Sequence, residues 1–157
     1  MKRIALGLLF AAFFLVPAAA ANDLPPGGMT AQEVADWLKS QGYPAVVKPD
    51  PTTPGDQIIS SSIDDTNFDI YMYGCEQGRC DSLQYAAGWQ PKPSITVDKI
   101  NGWDRDKRYI RAYIADDGGI WGEYDIDITP GGTYESLTHS LTRWRSILEA
   151  FTKFVNE

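Results

Sequence analysis

The sequence predicts an α+β domain in which an antiparallel sheet of about five strands has its helices on one face. Two observations predict this class. Strand-like segments with alternating apolar residues are joined by turn signals, so successive hairpins build an antiparallel sheet. Amphipathic helical segments precede, divide and follow these strands, and the expected order is therefore α-β-β-β-α-β-β-α.

The first 21 residues predict a cleavable signal peptide. Lys2 and Arg3 precede an apolar run over 4–16, and Pro17 and four alanines follow it. A basic start, a short apolar core and small residues at the exit are typical of export signals. The competing interpretation is a retained anchor, although a bilayer span needs about 20 apolar residues. We expect a periplasmic or secreted chain with a loose lead-in at 22–28 and one domain at 29–157.

The composition disfavours nucleic acid and anionic membranes as partners. The formal net charge is −7, and it becomes more negative when Lys2 and Arg3 leave with the signal peptide. Both polyanions select clustered Lys and Arg. We also expect no membrane span after cleavage of the signal.

The first helix is predicted to begin after Thr30. The Thr30 hydroxyl and Glu33, three residues later, form a capping box, and Gly42 suits a left-handed helix end. Residues 45–47 are a candidate short strand, and the prolines over 49–55 predict a loop.

The two cysteines predict a disulfide across a hairpin. Cys75 and Cys80 lie close together in an exported chain, whereas a zinc site would need more ligands and redox pairs usually show a shorter spacing. A loop over 76–79 then places apolar residues opposite one another, in the pairs Met72–Leu83, Ile70–Tyr85 and Phe68–Ala87. Tyr71 and Tyr73 share the other face with the disulfide, because side chains alternate along a strand.

The neighbouring hairpins follow from their turn residues. A turn over 64–67 would pair Ile63 with Phe68, Ser61 with Ile70 and Ile59 with Met72. A loop over 116–118 with Gly118 at positive φ would pair Ile114 with Ile120 and place Arg111 opposite Glu123. The same register places Tyr109 near Asp125 on the outer face.

Two further helices are predicted from caps and apolar spacing. Ser94 or Thr96 caps a short helix containing Ile100 and Trp103, and Thr133 caps the last helix. The last helix has one continuous apolar stripe, formed by Leu137, Leu141, Trp144, Leu148, Phe151 and Val155.

Residues 100–113, INGWDRDKRYIRAY, resemble the IN-x-WN-x-x-x-R-x-x-R-x-Y stretch of the YbjN family, whose members are labelled bacterial sensory transduction regulators. Asp116–Gly118, the strand Asp125–Asp127 and the closing helix from Leu141 to Phe154 match the same pattern. The Cys-x-x-x-x-Cys spacing resembles the exported branch. Asp104 departs from the pattern, because the family usually has Asn there.

The resemblance implies a fold similar to type III secretion chaperones. Such domains dimerise and bind other polypeptides, so it implies a protein partner in the envelope, a homodimer and no enzymatic activity. The alternatives are a small carboxylate-based hydrolase and a small-ligand or metal-binding envelope protein. No catalytic residue, cofactor or metal ligand is assigned, since the paired aspartates at 64–65 and 116–117 suit hairpin turns and His139 has no nucleophile context.

Two sets of residues are candidate binding groups. The first set is Trp103, Arg105, Arg108 and Arg111, of types favoured in interface hot spots. Their structural alternative is that Trp103 covers the core while the arginines pair with acids near Glu123. The second set would line the sheet face opposite the helices, and its members are Tyr71, Tyr73, Tyr109, Tyr113 and Trp121. Its alternative is aromatic packing across strands.

Overall fold

The computed structural model describes residues 22–157, and the predicted signal peptide over 1–21 lies outside the described residues. The chain folds as predicted into an α+β domain, with three helices and six antiparallel strands. The elements are α1 (Ala31–Ser40), β1 (Ala45–Pro49), β2 (Gln57–Ile63), β3 (Thr66–Glu76), β4 (Arg79–Trp89), α2 (Val97–Asp106), β5 (Arg111–Ile114), β6 (Ile120–Asp127) and α3 (Tyr134–Asn156). The strand beyond the expected five is β1, which the sequence suggested only as a candidate.

All strands belong to one sheet in the order β1-β2-β3-β4-β6-β5. The side chains on its inner face pack against all three helices. The main core includes Leu38, Ile59, Ile70, Leu83, Tyr85 and Trp144. The second core consists of Ile95, Ile100, Trp103, Ala112, Ile120, Phe151 and Val155. The long helix α3 contributes to both cores, because its apolar stripe continues along its whole length.

Threonines cap all three helices, and at α2 the cap is Thr96 rather than the alternative Ser94. Thr30 and Glu33 form the capping box of α1, Thr96 caps α2, and Thr133 caps α3. In each case the hydroxyl accepts from a free amide of the first turn, which satisfies a donor that has no partner in the helix.

The hairpin of β3 and β4 has the register that the disulfide predicts. Cys75 is bonded to Cys80 directly across the strands, and Met72 pairs with Leu83. The expected outer-face position of the disulfide is wrong, because Cys80 is buried in the main core and the exposed Cys75 bonded to it lines a pocket with the core residue Met72. Two features explain the difference: Gly74 at φ 61° interrupts the side-chain alternation, and Met29 forms a β-bridge that covers Cys80.

The predicted register of β2 and β3 is wrong by two residues. Ile59 pairs with Ile70 and Ile63 with Thr66, so only Asp64 and Asp65 form the turn. Both have positive φ, at 48° and 64°, which matches the conformation of the shortest hairpin turns. Because the slip is an even number of residues, each side chain keeps its predicted face.

Two further segments differ from the predictions. Residues 22–28 were expected to be loose, but Leu24 is buried and its amide donates to the Gly132 carbonyl at 2.9 Å. Tyr109 was expected near Asp125 on the outer face. Instead it has φ 70°, precedes the start of β5, and its ring lies 6.4 Å from that of Tyr124 on the helix side.

Candidate binding surface

The sheet face opposite the helices carries most of the candidate residues, and we call it the outer face. Strand pairing places Tyr71 beside Gln84, Gln84 beside Asp125, and Glu123 beside Arg111. The outer face consists of Val46, Lys48, Ile58, Ser60, Ser62, Asn67, Asp69, Tyr71, Tyr73, Ser82, Gln84, Ala86, Gly88, Arg111, Tyr113, Trp121, Glu123, Asp125 and Asp127.

A buried carboxylate lies at the centre of the outer face. The side chain of Glu123 is 8% exposed. Its Oε1 accepts from the Tyr113 hydroxyl at 2.7 Å, and its Oε2 accepts from the Arg111 guanidinium and, at 3.4 Å, from the Gln84 amide. Both oxygens are therefore engaged, as a buried carboxylate requires if the domain is to be stable.

The hydrogen bonds continue outward from Gln84. Its amide donates to Asp125 at 2.8 Å, and its carbonyl accepts from the Tyr73 hydroxyl at 3.4 Å. The network thus joins β3, β4, β5 and β6 on one face, and it holds the aromatic side chains in fixed positions.

The pKa values of the tyrosines reflect this environment. Burial, the hydrogen bond to Glu123 and the charge of that carboxylate raise the pKa of Tyr113 to about 12. Burial, followed by the Asp69 carboxylate, raises the pKa of Tyr71 above its usual range. Both phenols therefore stay protonated at neutral pH.

The structure places five of the nine candidate residues on the outer face, namely Tyr71, Tyr73, Arg111, Tyr113 and Trp121. Tyr73 is 48% exposed there. The other four, Trp103, Arg105, Arg108 and Tyr109, lie in or just after α2 and off this face. Trp103 is 8% exposed in the second core, and the Arg108 guanidinium lies 4.9 Å from the centre of the Tyr109 ring. For Trp103 and Arg111, the structural alternative describes the observed contacts, since Trp103 packs on Phe154 and Arg111 pairs with Glu123.

A cleft of about 270 Å³ lies at one end of the outer face. The Trp121 indole forms one wall, Ala86 and Gly88 form part of the floor, and Asp69 and Asp117 supply carboxylates. Three residues of this surface are not predicted as site residues from the sequence: Asp69, Gly88 and Gln84. Their only sequence signal was a shared alternation along β3 and β4, and the pairing of β4 with β6 was needed to place them beside Trp121.

The departure at Asp104 has a structural counterpart. The Oδ1 atom of Asp104 accepts from the Ala112 amide at 3.1 Å and so joins α2 to β5. Asparagine also has an oxygen at that position, and this contact therefore needs only an acceptor.

Three further features of residues 22–157 bear on the alternative functions: metal ligands, membrane-spanning helices and His139. No group of three or more His, Cys, Asp or Glu side chains there is placed to hold a metal ion. In the same part of the chain, no helix combines the length and apolar character of a membrane span. His139 lies exposed on α3, with Glu135 at 3.8 Å.

The comparisons with known proteins identify a family but no individual relative. The family model YbjN, with the description "Putative bacterial sensory transduction regulator", matches residues 30–157. No curated protein matches the chain, and no solved structure matches it. The predicted similarity to type III secretion chaperones therefore stays a prediction.

Proposed function

The chain belongs to the YbjN family, and from this premise we propose that it is a non-enzymatic regulator that binds another polypeptide on its outer face, outside the cytoplasm. The family description supports regulation rather than catalysis. Export is supported by the pattern of residues 1–21 and by the disulfide of Cys75 and Cys80, because disulfides persist mainly in oxidising compartments.

One observation favours binding over chemistry on this face. Every oxygen of the buried Glu123 carboxylate already accepts a hydrogen bond from Tyr113, Arg111 or Gln84. A general base must lie within hydrogen-bond reach of the proton that it removes, whereas this carboxylate is 8% exposed and is surrounded by donors of the domain itself. The carboxylate instead stabilises a fixed arrangement of Tyr and Trp side chains, which are enriched in protein interfaces.

The outer face also has the shape of a recognition surface. Tyr71, Tyr113 and Trp121 are half-buried and so partly accessible to solvent, while a hydrogen bond to Glu123 holds Tyr113 and contact with Gly88 holds Trp121. Rigid aromatic side chains lose little conformational entropy on binding, because few rotatable bonds become ordered.

The experiment is crosslinking in living cells followed by affinity capture of the tagged chain and mass spectrometry. We expect one dominant partner, lost in Tyr71→Ala and in Trp121→Ala and retained in Tyr134→Ala. Tyr134 is the matched control, because it is an exposed tyrosine on α3 and away from the outer face. Trp103→Ala is unsuitable, since Trp103 is part of the second core.

Three results would contradict the proposal. Equal loss of the partner in all three variants would show that the outer face is not the determinant. Recovery of only a second copy of the chain, dependent on Tyr71, would replace the polypeptide partner by a homodimer. Turnover of an envelope substrate by the purified chain, abolished in Glu123→Gln, would favour the hydrolase alternative.

Export is tested separately. Fractionation should place the chain in the periplasm or the medium, and sequencing of its amino terminus should begin near Asn22. A chain found in the cytoplasm with Met1 or Lys2 at its amino terminus would overturn this part of the proposal.

A further inference from the structure

We propose that the cleft at the end of the outer face binds a Lys or Arg side chain of the partner polypeptide. The inference rests on the proposed function and deepens it, because it states that the partner is basic. Three properties of the cleft support it: its size, its aromatic wall and the sign of its charge.

The size of the cleft suits one long side chain. Its volume is about 270 Å³. Pockets that enclose a drug-sized ligand usually measure about 300–1,000 Å³, so the cleft lies below that range. A single extended side chain fits such a space while the rest of its polypeptide lies along the sheet.

The aromatic wall packs against two glycines. A Cβ atom at Gly88 would lie 3.0 Å from Cζ2 of Trp121, so the indole ring lies directly over this glycine. At Gly119 a Cβ atom would lie 3.3 Å from the indole Nε1 and 3.0 Å from Oδ1 of Asp117. The indole and the Asp117 carboxylate therefore both lie beside Gly119. A single cationic group of a ligand can approach both of them there.

The ionised groups of the cleft are all acidic. Oδ1 of Asp69 accepts from the Ser60 hydroxyl at 2.5 Å, and Oδ1 of Asp117 accepts from the Gly119 amide at 2.9 Å. Among the described hydrogen bonds neither Oδ2 atom has a partner, and no Lys, Arg or His is among the described residues that line the cleft. Two carboxylates beside an indole face form the environment that favours a cation, through both charge and cation–π attraction.

The charge of the whole chain points in the same direction. The formal net charge is −7, and a basic segment would be attracted to this protein before contact. A neutral sugar could also stack on Trp121, but the paired carboxylates and the small volume favour a cationic side chain. Binding of a sugar at Trp121 is therefore one of the results that would overturn the inference.

The test is a titration followed by NMR, with ¹⁵N-labelled chain over 22–157 and short capped Gly/Ser peptides. The peptides differ only in one central residue, which is lysine, arginine, norleucine or acetylated lysine. We expect the lysine and arginine peptides to shift the signals of the Trp121 indole N–H and the Gly88 amide in a saturable way. The norleucine and acetyl-lysine peptides should leave both signals unchanged, because each lacks the charge.

Two double variants that remove the same number of charges distinguish binding in the cleft from attraction by the overall charge of the protein. Asp69→Asn with Asp117→Asn removes two charges but keeps both Oδ1 acceptors, and it should weaken lysine-peptide binding about five- to tenfold. Asp116→Asn with Asp127→Asn also removes two charges, from exposed positions outside the cleft lining, and should weaken it by less than about twofold.

The inference is overturned by any of three results. The neutral peptides could shift the same signals as the lysine peptide, or the two double variants could weaken binding equally. N-acetylglucosamine oligomers could bind saturably at Trp121 where the lysine peptide does not.

The crosslinking experiment distinguishes this inference from the proposed function. A partner that is lost in Trp121→Ala but retained in the Asp69→Asn, Asp117→Asn variant would support binding on the outer face. The same result would refute the binding of a Lys or Arg side chain in the cleft. Specific binding of the lysine peptide in the cleft, without capture of any polypeptide in cells, would support the cation site and refute the polypeptide partner.

Discussion

Replacing Glu123 by glutamine tests whether the hydrogen-bond network of the outer face stabilises the domain. The substitution keeps the size of the side chain and one acceptor, but it removes the charge that Tyr113 and Arg111 contact. A hydrogen bond to a charged group contributes about 1.5–3 kcal/mol, against about 0.5–1.5 kcal/mol for a neutral one. The Tyr113 contact should therefore lose about 1 kcal/mol.

The Arg111 contact contributes less, because its side chain is 64% exposed. Solvent screens an ion pair at such a position, and its contribution lies between about 0 and 1 kcal/mol. The free energy of unfolding should thus fall by about 1–2 kcal/mol in Glu123→Gln. For a domain of this size the melting temperature should fall by about 3–7 °C.

The assay is urea denaturation of both proteins, followed by circular dichroism, together with an alkaline titration of tyrosine absorbance. In the wild type, burial and Glu123 hold the pKa of Tyr113 at about 12. A pKa above the unfolded value stabilises the fold fully below pH 10, and this stabilisation disappears as the pH rises toward 12. In Glu123→Gln the Tyr113 pKa should fall but stay above 10, since burial remains.

Asp127→Asn is the control, because it removes one negative charge from an exposed position on the same strand. We expect its unfolding free energy to change by less than about 0.5 kcal/mol. Equal stability of Glu123→Gln and the wild type, with an unchanged Tyr113 titration, would refute the role given to Glu123.

Three further changes test other parts of the fold. Replacing Cys75 and Cys80 by serine should lower the unfolding free energy by about 2 kcal/mol, because the closed loop is short; equal stability of oxidised and reduced wild type would contradict this. Burial raises the pKa of the Glu33 carboxyl, but hydrogen bonds from Thr30 and Arg79 outweigh it and hold that pKa below 4.5. Wild type should therefore be more stable than Glu33→Gln above pH 4.5, by about 0.5–1 kcal/mol because the pair is partly exposed, and the difference should shrink as the pH falls; a difference that grows instead would contradict this. Gly122→Ala should cost about 1–3 kcal/mol, since its Cβ would lie 2.8 Å from Cδ1 of Phe151, and Phe151→Leu should recover part of that loss; no recovery would exclude this clash as the cause.

The features that depend on neighbouring residues could be predicted from the sequence. Thr30, Thr96 and Thr133 cap their helices as expected, since a cap involves only the next few residues. The register of β3 and β4 was also predictable, because the bond of Cys75 and Cys80 agrees with the apolar alternation.

The turn of β2 and β3 shows where such reasoning ends. The shortest hairpin turns need positive φ at both central residues and usually contain glycine. Asp64 and Asp65 adopt that conformation without glycine, because a short polar side chain tolerates it. The sequence therefore predicts a longer turn. This displaces the residue pairs of β2 and β3 by two residues but leaves each side chain on its correct face of the sheet.

The cleft could not be predicted, because it depends on strands that are distant in sequence. Gly88 and Trp121 become neighbours only through the pairing of β4 with β6. The alternation of apolar residues predicts the faces of these strands but not their order in the sheet. Residue type alone therefore suggests Trp103 as a binding residue, although it lies in the second core.

The shared use of α3 by both cores has a consequence for how the domain opens. Leu137, Leu141, Trp144 and Leu148 anchor the first part of the helix in the main core, while Phe151 and Val155 hold its last turns in the second core. Loss of the smaller core would let these turns fray without unfolding the sheet. Amide hydrogen exchange should therefore be graded along one helix, with slow exchange near Trp144 and faster exchange near Val155, and the region of β5 and α2 should exchange together with the fast end.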